Sequence, residues 1–323
     1  DSAHLAEPNR QEKAMVQRAG RIYAVSDLLW IAQAALLSFA VAGFVIGSTT
    51  QTIALIMAAA GFIALAAVRS SLNVYAAKLA RDGSRKLMSR VRQSLLDIIA
   101  ASSPATPMPF SGHVAAMLNE QVSALGPYFH NYYPQMIRVK FVPLGIVAAS
   151  ACISWLVAVI LLVTGPVIPL FMALIGIRAK AASADQQEEL ARMSGFLLDR
   201  VRGLETLRLF GAVKRTEDQI GSVGDSFRRG TMRVLRVAFL SSTVLELFSA
   251  LGIAFTAVYV GFFLLGDFSI GTWTGSLSFG AGLFVLLLAP EFFAPLRSFA
   301  AAYHDRAAGL AAKEKLQELY QSI

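Results

Sequence analysis

Charge is scarce in this chain and thiols are almost absent. Charged residues make up 15% of its 323 positions, where soluble domains carry roughly 25%, so a water-solvated globule is excluded. The one cysteine, Cys152, rules out an internal disulfide framework and any thiolate metal cluster; its place at the end of an apolar run predicts a small buried hydrophobe. His113, His130 and His304 stand singly, without ligand spacing. No G-x-x-x-x-G-K-[ST] occurs, and Gly211-Ala-Val-Lys214 lacks both the second glycine and a preceding strand. No constellation for nucleophilic or metal catalysis is visible, so no catalytic residue and no metal site is expected. No cleavable signal peptide is visible: the first apolar run begins near Ile22 after a polar start and continues too long. The chain opens on Asp1, which points to a piece of a longer protein.

What fills the chain is apolar residue, 55% of it, with a mean hydropathy of +0.56. The longest continuous pattern runs from Trp155 to Gly211. It opens as WLVAVILLVTGPVIPLFMALIGI and passes without a break into a charged stretch of helical period. A hydrocarbon core is only about 30 Å thick, so most of such a helix stands in water. Five further spans are expected: Ile22–Ile46, Ile53–Val68, one from near Met136 to Ile153, Val237–Leu265, and Trp273 to about Pro295. Gly47–Thr52 and Gly266–Gly271 read as short turns. Leu72, Tyr75, Leu79, Met88, Val91, Leu95 and Ile98 carry a helix beyond the second span, until the prolines of Ser102–Gly112 break it. Gly165-Pro166 and Pro169 predict a kink, and Gly221 with Gly224 a local break.

The basic residues fix an orientation. All 29 lysines and arginines fall in residues 1–21, 69–140, 176–236 and 296–323, and the three turns at the opposite ends of the spans hold none. By the positive-inside rule both termini and both long loops are cytoplasmic. The expected organisation is a cytoplasmic leader (1–21), a six-span domain (22–295) and a cytoplasmic exit helix (296–323). The basic composition requires no nucleic acid to explain it.

Six spans with two long cytoplasmic loops and minimal outer turns resemble the transmembrane domain of an ABC exporter half, an all-α membrane fold of type IV (type I exporter) with long cytoplasmic helix extensions. Within that class, PVIPLFMALIG (Pro166–Gly176), MSGFLLDRVRGLETLRLFG (Met193–Gly211), FRRGTMRVLRVAFLSSTVLELFSALGIAFTAVYVGF (Phe227–Phe262) and LAPEFFAPLRSFAAAYHDRAAG (Leu288–Gly309) are similar to the CydD family. That resemblance implies export of reduced thiols (glutathione, cysteine) or haem in support of cytochrome bd assembly, in a bacterial inner membrane. It implies a CydC-like half-transporter as partner, and ATP with magnesium on an ATPase domain outside these residues. No cofactor is expected in the chain itself, with haem as cargo or ligand. It also implies coupling contacts at the loop tips, Ser103–His113 with Pro107 and Phe110, and Leu204–Gly211 with Leu207, Phe210 and the helix terminator Gly211. A non-transporting scaffold for oxidase assembly is the alternative from another class.

The substrate-pathway candidates are Arg81, Glu246, Glu291, Arg297 and His304. Glu246 lies ten residues into the fifth span, where a lipid-facing carboxylate costs several kcal/mol, so it faces a cavity or makes an interhelical hydrogen bond. Glu291 sits between Pro290 and Pro295, six residues from Arg297 and so not its helical partner. Arg81 belongs either to a solvated face or to a cavity that receives an anion. Tyr303-His304 stands near the inner mouth, where a haem ligand is conceivable.

Overall fold

The computed structural model describes residues 7–46, 52–101 and 117–322. The chain forms α1 (Arg10–Ile46), α2 (Thr52–Ala101), α3 (Val122–Pro127), α4 (Tyr133–Ala151), α5 (Trp155–Arg202), α6 (Leu204–Leu209), α7 (Val213–Leu265) and α8 (Phe279–Ser322). Two π-helical turns, Met117–Gln121 and Tyr128–Tyr132, flank α3. The first loop tip, with Pro107, Phe110 and His113, lies outside the described residues.

The chain divides into two compact units, residues 1–165 with 251–323, and residues 166–250. In the first, α1 starts inside the expected leader. Glu12 caps its start, its carboxylate accepting from the Asn9 backbone N–H at 2.7 Å, while Asn9 Oδ1 accepts from the Arg10 N–H at 3.2 Å. The same carboxylate takes both arms of Arg90 from α2, each at 3.0 Å. Half of the polar leader is thus the first turns of a helix that runs straight on into the first span.

The polar half of this unit has its own core. Leu87, Val91 and Leu95 recur every four residues on α2 and meet Val122, Leu125 and Phe129 together with Ala312 and Leu316 of α8, all buried. One helical face of α2 closes this core while its other face carries exposed Lys78, Arg85, Lys86 and Arg92.

Among the described residues, five helices, α1, α2, α5, α7 and α8, are long and apolar enough to cross a membrane. The third expected span falls short of that condition. It corresponds to α4, whose first turns carry Arg138 and Lys140, so its apolar part begins only at Phe141. α4 packs on α1 and α8 and brings Arg138 to Asp27 of α1 at 2.7 Å, with both side chains largely buried. Gln135 accepts a second bond from Arg138 at 3.1 Å, and the Tyr23 ring lies under its guanidinium at 5.4 Å.

At the opposite, non-basic end, the turn after α4 and the loop before α8 are clipped together. Buried Ser154 donates to the Gly271 carbonyl at 2.7 Å and meets the Tyr259 hydroxyl at 3.1 Å. Trp273 donates its indole N–H to the Ala151 carbonyl at 2.6 Å. Trp273 is therefore a loop residue, and the last span begins at Phe279 instead. Gly271, at φ +115°, occupies a conformation other residues resist, and a Cβ there would strike the Tyr259 hydroxyl. Cys152 is exposed in this turn and not buried, because the helix has already ended at Ala151.

The second unit is a helical hairpin made from the far part of α5, α6 and the near part of α7. α5 spans 48 residues, about 72 Å of helix, and is continuous across Pro166 and Pro169. α7 spans 53 residues and runs unbroken through Gly221 and Gly224, where a break was expected. The boundary between units falls at Gly165–Pro166.

Candidate functional site: a cationic cavity and an exposed turn

An open cavity of 590 Å³ lies between α1 and α2. α2 lines it with Phe62, Ala66, Arg69, Asn73, Ala77 and Arg81, residues three or four apart that share one helical face; α1 adds Tyr23, Trp30 and Gln33. Among the described residues, two arginines and no carboxylate line this space.

Arg69 is its most constrained charge. Its guanidinium lies 5.1 Å from the Trp30 ring centroid, and Nη2 reaches Glu291 Oε1 of α8 at 3.4 Å. Its Nε is buried with no hydrogen-bond partner. Trp30 is fixed in turn, donating its indole N–H to the Leu287 carbonyl at 3.0 Å, and Ser26 donates to the Arg69 carbonyl at 3.1 Å. Gln33 is buried as well; its amide donates to the Phe62 carbonyl at 3.3 Å, while Oε1 has no partner. Unsatisfied buried polar atoms beside an open cavity are where a polar ligand gains most.

The expected pathway residues separate. Arg81 lines the cavity, its Nε donating to the Ala77 carbonyl one turn back at 3.1 Å. Glu291 is tied to the cavity through Arg69. Arg297 is half-buried further along α8, outside the cavity lining, and His304 lies on α8 with a side chain that is not described. Glu246 is exposed on α7, in the other unit. Charge counting passes over Trp30, Gln33, Arg69 and Asp27. The signal for three of them is in the sequence, since an acid, an amide and an indole inside an expected span require a polar neighbour.

The second feature is the turn that ends the hairpin. α6 closes in a Schellman motif: Ala212 N–H bonds the Leu207 carbonyl at 2.9 Å and Gly211 N–H bonds that of Arg208 at 3.1 Å. Gly211 has φ +63°, the left-handed value this motif requires. The result displays Leu209 at 86% and Phe210 at 81% exposure, with Leu204 exposed and Leu207 half-buried.

Long apolar helices with charged extensions, a hairpin ending in an apolar turn and a polar cavity between the first two helices define a membrane transport domain. Residues 22–287 match the ABC transporter transmembrane region, and the chain belongs to that family. The glutathione/L-cysteine transport system ATP-binding/permease protein CydD of Haemophilus influenzae is 40% identical over 246 residues, 76% of this chain and 42% of that protein. The CydD protein of Escherichia coli is 42% identical over 234 residues, 72% of this chain and 40% of the relative. The transport ATP-binding protein AarD of Providencia stuartii is 37% identical over 304 residues, 92% of this chain and 51% of the relative. The chain spans about half the length of these relatives or less.

Proposed function

We propose that the chain is the membrane part of an ATP-driven exporter that moves reduced thiols (glutathione or cysteine) or haem from cytoplasm to periplasm, in support of cytochrome bd assembly. The cavity with Arg69 and Arg81 carries the reading: glutathione and haem both present carboxylates, and a site with two cations and no lining acid selects them. The relatives' names, which specify glutathione and L-cysteine, support the thiol cargo. The setting is a bacterial inner membrane with both termini cytoplasmic, which the distribution of all 29 basic residues supports. The partner is a CydC-like half-transporter, and ATP with magnesium acts on ATPase domains outside these residues. Leu209 and Phe210 are the contacts through which such a domain drives the hairpin, with Pro107 and Phe110 serving at the other tip.

The test is transport by the full-length protein with its partner in inside-out vesicles. ATP-dependent uptake of glutathione is expected to fall at least about tenfold in Arg81→Gln, the loss of one charge-assisted contact, with basal ATP hydrolysis retained. Unchanged uptake of glutathione, cysteine and haem would remove the cavity as the cargo site.

A further inference from the structure

Arg69 of the cargo site already has a carboxylate partner, Glu291 of α8, which stands outside the cavity lining. Glu291 reaches Arg69 through one bond of 3.4 Å, longer than the 2.7 Å of Arg138–Asp27 and the paired 3.0 Å bonds of Arg90–Glu12. Charge-assisted bonds at their best measure about 2.7–2.9 Å and a guanidinium offers five donors, so this contact is far from saturating Arg69. Its Nε remains buried and unpartnered. The guanidinium lies over the Trp30 ring, 5.1 Å from its centroid, and both residues line the cavity, so the cation is held at the cavity wall.

Both holds on this cluster come from one turn of α8, since Trp30 is fixed to the Leu287 carbonyl and Arg69 to Glu291, four residues on. α8 continues to Ser322, the direction in which the proposed ATPase domain lies.

We propose that Glu291 is a stand-in for the cargo carboxylate: it holds Arg69 while the cavity is empty, and an entering carboxylate takes Arg69 from it and unties α8 from α2. This rests on the cargo reading above. Cargo and the α2–α8 tie then exclude each other, and whatever the tie does to α8 the cargo reverses, which is the reciprocity required of coupled equilibria. Exchange of one carboxylate for another at a fixed guanidinium needs no change in protonation.

The experiment uses the full-length transporter with its partner in lipid nanodiscs, reading the concentration of reduced glutathione that half-maximally stimulates ATP hydrolysis. Glu291→Gln preserves shape and hydrogen bonding while weakening the competitor. It is expected to lower that concentration about tenfold, equivalent to about 1.4 kcal/mol, and to raise cargo-free hydrolysis. Glutathione diethyl ester, whose carboxylates are masked, is expected to show no such gain. In an Arg69→Gln background, or Arg69→Lys should that variant not fold, Glu291→Gln is expected to have little or no effect, because the competition is for the Arg69 fork. Equal tightening in both backgrounds would reveal plain charge repulsion and overturn the proposal. No tightening in the wild-type background would make the pair a passive bridge and overturn it while leaving the cargo site standing. If glutathione stimulates neither wild type nor Glu291→Gln, the cargo reading itself fails and the stand-in role falls with it.

Discussion

Single residues carry strong constraints where two helices would otherwise bury a lone charge. Asp27 and Arg138 are both largely buried, and removing either leaves the other without its counter-ion. Asp27→Ala is expected to destabilise the folded domain by about 3 kcal/mol, the usual cost of orphaning a buried charge. Thermal unfolding in detergent reads this, and an unchanged midpoint would show that Arg138 finds water instead. At the opposite end Gly271 is fixed by backbone sign and by space together. Gly271→Ala is expected to cost about 2 kcal/mol through positive φ and the clash with Tyr259, and to loosen the Ser154 clip. Accelerated proteolysis in the 266–278 loop is the accompanying measurement.

At the scale of elements, the hairpin turn shows the clearest link from sequence to work. A turn can bury two apolar side chains on its own helices; this one leaves Leu204, Leu209 and Phe210 exposed. Each costs roughly 1.5–3 kcal/mol in water relative to full burial, which a docking partner removes. Phe210→Ala in the full-length complex is therefore expected to leave membrane insertion and ATP binding intact while abolishing cargo stimulation of ATP hydrolysis. Normal stimulated turnover would reduce α6 to a simple closure of the hairpin. Gly211 is legible from sequence alone because a glycine after Leu-Arg-Leu-Phe signals a Schellman end. The continuity of α7 through Gly221 and Gly224 is not legible, since glycine lowers helix propensity by only about 1 kcal/mol and a 53-residue helix absorbs it.

For the whole molecule, orientation and partnership are the open tests. A cysteine placed at Ser269 is expected to react with an impermeant thiol reagent from outside, and one at Ser222 is not; external labelling of Ser222 would invert the topology. The native Cys152, exposed in the turn at the same end as Ser269, is replaced by serine first. Met232 and Leu235 are exposed on α7 before the span expected from Val237. Apolar side chains outside the bilayer call for a protein neighbour. The chain alone is expected to form adventitious oligomers in detergent, and to become monodisperse only with the CydC-like half. A stable monomer by light scattering would count against that arrangement.

The sequence by itself determined the class of this protein, because period, hydropathy and the placement of basic residues are properties of a chain read in one dimension. Long helices, their charged extensions and the apolar turn at Phe210 all follow from spacing between near neighbours. Only the tertiary structure decided which charges meet. Arg69 and Glu291 are 222 residues apart and Asp27 and Arg138 are 111 apart, separations at which no periodicity reports a partner. The same holds for α4, whose membrane part falls short by apolarity and whose place is set by packing on α1 and α8, and for Trp273, which sequence assigns to a span and a hydrogen bond to Ala151 holds in a loop. Local propensity writes the helices, whereas the cavity exists only because α1 and α2 pack with their polar side chains facing one space.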